Sequence, residues 1–185
     1  MISSRRETSR VPEPPDGCLR VAGAEETDLE WIVDRMTKDD LPSILEIERD
    51  SQEDPWTEKL FLEELSRPRG HVLVARATRE KTNLLGYICF WEVADELQIL
   101  NVSVHASYRR RGIGRCLLRE ALIYGKTRKV KVALLEVRQT NVAAREFYET
   151  LGFRTVGERP DYYGPGKSAI LMELDLVDLS LSSRE

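Results

Sequence analysis

The stretch from Leu97 to Leu122 constrains this chain more than any other. Leu97 and Ile99 lead into Val102 and Val104, a run of β-branched and apolar alternation that reads as a strand. Arg109, Arg110 and Arg111 follow, then Gly112, Ile113 and Gly114. From Ile113 onward Leu117, Leu118, Ala121 and Leu122 recur at helical spacing. The order is therefore strand, arginine-rich glycine turn, helix. Glycines let the backbone approach a ligand closely. A helix opening directly behind them turns unpaired N–H groups and a partial positive charge outward. That arrangement receives phosphate, and arginine forks add planar donors suited to it. A pyrophosphate-bearing cofactor is the expectation for Arg109–Arg115. The dinucleotide pattern G-x-G-x-x-G is excluded because its third glycine position is Leu117, and no Gly-Lys-Ser/Thr closes the loop as in a P-loop.

The chain of 185 residues has the length of one domain with a sizeable core. Apolar content of 41% and charged content of 32% are those of a globular protein. The net charge of -4 argues against a general nucleic-acid binder and makes the arginine run a local feature. Cys18, Cys89 and Cys116 are odd in number and lack C-x-x-C spacing, as in a reducing, cytoplasmic setting. No apolar run is long enough for a membrane span, and no signal peptide is visible. His71 and His105 are too isolated to suggest a metal site.

Residues 1–28 are rich in Ser, Arg, Glu, Pro and Gly, which predicts a disordered extension. The folded domain is expected over 29–176, with a flexible tail at 177–185. It opens on a strand at Trp31–Met36. A helix follows Asp39-Asp40, with Pro42 in its first turn and Leu41, Ile44, Leu45 and Glu48 on neighbouring turns. Asp54-Pro55-Trp56 breaks the chain, and Thr57 caps a helix carrying Leu60, Phe61, Glu64 and Leu65. His71–Ala77, Leu84–Val93 and the strand from Leu97 form an antiparallel meander, with a turn at Lys81-Thr82-Asn83. Gly86 marks a bulge or a close approach. Val130–Val137 suits a buried strand joined to its predecessor by a helical crossover, hence parallel pairing. Asn141–Leu151 is a helix, and Phe153–Gly157 and Ser168–Leu176 close the sheet.

Arg109-x-x-Gly112-x-Gly114 resembles the acetyl-CoA loop of the GNAT acyltransferases. Downstream, Leu135-Glu136-Val137-Arg138, Asn141-x-x-Ala144 and Phe147-Tyr148-Glu149-x-Leu151-Gly152-Phe153 fall in that superfamily's order and spacing. Pro55-Trp56 and Asp161-Tyr162-Tyr163 make the set most similar to the RimI-type N-terminal alanine acetyltransferases, over roughly residues 31–176. The resemblance implies an α/β GNAT fold: an antiparallel meander, then a parallel pair splayed at the cofactor. It implies acetyl-CoA as co-substrate and no metal. The acceptor would be a protein N-terminus, that of a small-subunit ribosomal protein, acetylated by a cytoplasmic monomer that binds neither nucleic acid nor membrane.

By the same resemblance, Val102, Ser103 and Val104 would offer backbone groups to the pantetheine arm. Arg109, Arg110, Arg111, Gly112, Ile113, Gly114 and Arg115 would cradle the pyrophosphate. Glu136 would be the general base and Tyr148 the general acid. Strand alternation puts Glu136 on one face with Val130, Val132 and Leu134, where desolvation would raise its pKa; pairing with an arginine such as Arg138 is the alternative. Tyr148 has the competing role of a core tyrosine, although a phenol near pKa 10 is protonated at neutral pH and can serve a departing thiolate. Asn141 is expected to cap its helix and to contact the cofactor. Trp56 is either a core plug or part of the acceptor rim, and Tyr162 and Tyr163 would line the peptide groove. His105-Ala106-Ser107 departs from the proline-containing turn usual after the cofactor strand. Two other functions fit the residues less well: acetylation of a lysine or small amine, and a non-catalytic CoA-binding module.

Overall fold

The structure, a computed structural model, describes residues 20–21, 29–78, 84–177 and 179. Eight strands form a single sheet in the order β1-β2-β3-β4-β5-β6-β8-β7. They are β1 (Arg20–Val21), β2 (Glu30–Arg35), β3 (Gly70–Ala77), β4 (Leu84–Val93), β5 (Glu96–Val104), β6 (Val132–Arg138), β7 (Arg154–Arg159) and β8 (Ala169–Asp175). The helices are α1 (Leu41–Ser51), α2 (Glu58–Ser66), α3 (Ile113–Thr127) and α4 (Val142–Glu149). No described helix is long and apolar enough to cross a membrane.

The sheet is coated on both faces because its central strands are apolar on both. In β4, Tyr87 and Cys89 join Ile44, Ile47 and Phe61 beneath α1 and α2, while Ile88 and Phe90 join Leu117, Leu118 and Leu122 of α3. The expected meander is β3-β4-β5, antiparallel throughout. β5 and β6 are the one parallel pair, joined through α3 as the crossover pattern requires. The turn expected at Lys81-Thr82-Asn83 lies outside the described residues. So does most of the amino-terminal extension, within which Arg20–Val21 pair with Glu30 and Trp31 of β2. In the tail expected to be flexible, Leu179 packs against the core and its carbonyl accepts from Lys126 Nζ.

The last two strands do not run outward in chain order. β8 inserts between β6 and β7, which leaves β7 at the edge. Composition explains the swap. β8 buries Ala169, Ile170, Met172 and Leu174, whereas β7 is almost wholly exposed. A strand with little apolar surface belongs at an edge, where charge also blocks unwanted pairing.

Two irregularities shape β5. Phe90 pairs with Ile99 and Cys89 with Asn101, so Leu100 stands unopposed as a bulge. A Cβ on Gly86 would lie 2.6 Å from the Ser103 carbonyl oxygen, so the close approach expected there is real and only glycine permits it. β5 then pairs with β6 only from Glu96–Ile99 against Val132–Leu135. Beyond that point β5 runs on beside β4, and β6 runs on beside β8. The parallel pair opens into a V, as expected.

Candidate active site

The V holds a cavity of about 230 Å³. Leu100, Asn101 and Val102 line one arm and Glu136, Val137 and Arg138 the other. Trp56 and Asp54 reach it from the loop after α1, Asn141, Ala144 and Tyr148 from α4, and Tyr163 from the loop between β7 and β8. Residues scattered over more than a hundred positions of sequence thus meet at the end of one parallel pair, where α/β sheets commonly bind ligands.

At the outer end of β5 the chain makes one 3-10 turn, Ala106–Tyr108, before the arginine run. His105 Nδ1 accepts the Ser107 N–H at 3.2 Å and shapes that turn. Gly112 caps α3 with φ +82°, and a Cβ there would meet nothing within 4 Å. The outer side of the Gly112 turn is therefore open. At Gly114 a Cβ would touch Phe147 and Val104 at 3.6 Å, an ordinary contact. Arg110 is exposed, and Arg111 lies 5.7 Å over the Tyr108 ring. Arg109 is engaged within the chain: its Nε donates to the Val104 carbonyl at 3.0 Å and its Nη2 to Ser51 Oγ at 3.1 Å. It braces the end of β5 against α1. Ile113 is fully buried, so only its amide can face a ligand. Arg115 reaches Thr150 Oγ1 at 3.3 Å and ties α3 to the end of α4.

Asn141 caps α4 as expected, its Oδ1 accepting the Ala144 N–H at 3.1 Å. Tyr148 sits one turn on, its ring against Phe147 and Phe153. Burial, with a smaller contribution from nearby Tyr163, pushes its phenol up to about 12.

Glu136 is not set among apolar neighbours. The face it shares with Val132 and Leu134 is the half-exposed one, and the buried face of β6 is Ala133, Leu135 and Val137. Its carboxylate is paired with Arg159 of β7 at 2.6 Å, not with Arg138. Arg138 instead pairs with Asp54 and lies 4.0 Å over the Tyr163 ring. Arg159 lies 4.3 Å over Tyr162. Each tyrosine of the Asp161-Tyr162-Tyr163 loop is therefore capped by an arginine. Tyr163 lines the cavity and is half-buried, whereas Tyr162 is 46% exposed and stays outside. Trp56 stands between core and cavity. Its ring packs 5.4 Å from Phe61, and it also lines the cavity.

Sequence reasoning missed Glu48 and Gln52. Glu48 is fully buried, yet its carboxylate lines the cavity. Its Oε1 accepts the Trp56 N–H at 2.9 Å and Asn101 Nδ2 at 3.1 Å, and its Oε2 accepts the Tyr87 hydroxyl. Gln52 Nε2 donates to Asn101 Oδ1 at 3.1 Å and Ser103 Oγ at 3.2 Å. The signal was present: Glu48 falls on the apolar stripe of α1 beside Ile44 and Ile47, where a charge is out of place.

Residues 41–153 match the Acetyltransferase (GNAT) family. The chain is 32% identical, over 74% of its length and 92% of the relative's, to [ribosomal protein bS18]-alanine N-acetyltransferase of Salmonella typhimurium. It is 36% identical, over 69% of its length and 80% of the relative's, to N-alpha-acetyltransferase RimI of Mycobacterium tuberculosis. Among solved structures, the ribosomal-protein-S18-alanine N-acetyltransferase of Escherichia coli superposes with a TM-score of 0.71 at 28% identity, covering 84% of this chain and 99% of that one.

Proposed function

Since the chain belongs to the GNAT acetyltransferase family, we propose that it transfers the acetyl group of acetyl-CoA to the N-terminal alanine of ribosomal protein bS18, acting as a monomer in the cytoplasm. The observation that carries this reading is that Glu136 and Tyr148 line one cavity, opposite the arm of β5 that lacks a strand partner. The names of relatives that share about a third of its residues support the acceptor.

The residues divide the work as follows. The amides of Gly112 to Arg115 and the exposed Arg110 suit a pyrophosphate. The unpaired edge of β5 offers backbone groups to a pantetheine arm and an acyl carbonyl. Glu136 takes a proton from the acceptor amine, and an incoming ammonium competes with Arg159 for its carboxylate. That displacement is cheap, because an exposed ion pair is worth about 0–1 kcal/mol. Tyr148 faces the leaving sulfur. Burial holds its phenol at about 12, so the hydroxyl keeps its proton at neutral pH. Tyr148 donates its phenol proton to the departing thiolate, Glu136 holds the proton the amine nitrogen loses as the amide forms, and the phenol regains its proton from solvent.

An N-terminal amine, with a reference pKa near about 7.7–8.0, is neutral roughly 300 times more often at pH 7 than a lysine near 10.4. The test is intact-mass analysis of peptides that begin with Ala, Ser, Met or a blocked residue, incubated with acetyl-CoA. The reading expects one added acetyl group on the free Ala terminus, and modification of blocked peptides at lysine would overturn it.

A further inference from the structure

The buried carboxylate of Glu48 has no part in the proton transfers above, and its surroundings are unusual. Burying a charge is costly unless it is paired or fully hydrogen-bonded. Among the described residues no cation pairs with Glu48; three donors from three separate elements satisfy it instead. A leucine or methionine would pack at this point of α1 without that cost. What the carboxylate adds is connection. It joins the backbone of Trp56, on the loop facing the acceptor, to Asn101, the residue directly after the β5 bulge. One helical turn on, Gln52 continues the chain of bonds to Ser103. The orientation of Asn101 follows from this chain, because a carboxylate only accepts and so must face Nδ2.

The segment held this way, Asn101 to Ser103, is the part of β5 that has lost β6 as a neighbour. Only β4 supports it along the other edge. Side chains from α1 supply the missing constraint. We propose that Glu48 is a positioning residue of the transfer reaction, fixing the loop of Trp56 against the bulged strand so that amine and acyl group meet at the right spacing. The inference rests on the proposed transfer reaction, and it assigns Glu48 a geometric role and not an acid-base one.

Geometry and charge can be separated by substitution. In Glu48→Gln, the amide oxygen still accepts from Trp56 and Asn101. The amide NH2 then donates to Tyr87, whose hydroxyl can turn to neighbouring Ser103. In Glu48→Ala, three buried donors are left unpaired. Steady-state kinetics should be measured on whichever amine the wild type acetylates, with the Kd of CoA measured separately. Glu48→Ala is expected to lower kcat about 100-fold, the effect of a misplacement near 1 Å, with the Kd of CoA changed less than about threefold. Glu48→Gln should recover at least tenfold of that loss. If Glu48→Ala does not fold, Gln52→Ala serves, with an expected loss of roughly tenfold in kcat. An unchanged kcat in either alanine variant, a Glu48→Gln as impaired as Glu48→Ala, or a loss confined to CoA affinity would each overturn the proposal. A wild type that acetylates only lysine defeats the acceptor assignment and leaves these ratios measurable. For a wild type with no turnover, hydrogen exchange at the Trp56 amide decides: protection lost in Glu48→Ala and regained in Glu48→Gln supports the role, and equal protection in all three contradicts it.

Discussion

The two sides of the cavity are built on different principles. The side facing the expected cofactor comes from one continuous stretch, β5 through the first turn of α3, and its backbone is left without β6 as a neighbour beyond Ile99. The acceptor side is gathered from α1, β4, β6, β7 and two loops, and its polar groups are engaged with one another. Asp54 pairs with Arg138, Glu136 with Arg159, and Glu48 with Trp56, Asn101 and Tyr87. The first side is made of parts that any sequence of the right shape could offer. The second holds its side chains in a prearranged network, the kind of rigidity a selective site needs.

Substitutions at the reacting centre should sharpen this contrast most. Tyr148→Phe and Glu136→Gln are each expected to lower kcat by on the order of 10²–10⁴ with acetyl-CoA affinity unchanged, read from initial rates and a binding titration. The pH profile adds a check on sign. Burial raises the Tyr148 phenol to about 12, so its protonated form persists through the alkaline range and is lost only as pH rises through that value. The kcat profile should show no descending limb near pH 10, and such a limb would break the assignment.

The cofactor side should fail separately. Gly112 has φ +82°, so Gly112→Val strains the loop by about 1–2 kcal/mol. It should raise the KM for acetyl-CoA roughly tenfold while leaving the acceptor KM alone. Arg159→Gln removes the cation that competes for Glu136, and the acceptor KM should fall about two- to threefold, within the worth of an exposed pair. Least of all, Thr57→Ala removes the cap whose hydroxyl accepts the Leu60 N–H, and thermal unfolding should report a loss of about 1 kcal/mol with both KM values unmoved.

The same contrast explains what could be read in advance. The arginine-glycine turn, the α4 cap at Asn141 and the Thr57 cap were legible because their physics is local, a few residues acting on their own backbone. The meander and parallel pair were legible from alternation and crossover length. The surroundings of Glu136 were not, because its partner Arg159 sits on an edge strand that reaches β6 only through the insertion of β8. Glu48 could be placed on α1 from the sequence, but its three donors lie 8, 39 and 53 positions away, beyond any local rule. The bonds from Arg109 to Val104 and Ser51 were not legible, because an arginine in a basic loop has the same local signature whatever it meets.

The central claim is that α3 grips the nucleotide end of the thioester while its acyl end lies in the V between β5 and β6. A crystal structure of the protein with CoA bound tests this most directly. The pyrophosphate should lie on the amides of Gly112 to Arg115, with the sulfur within hydrogen-bond reach of the Tyr148 hydroxyl and Glu136 on the open side beyond it. A nucleotide bound away from the start of α3, or a sulfur out of reach of Tyr148, would contradict it.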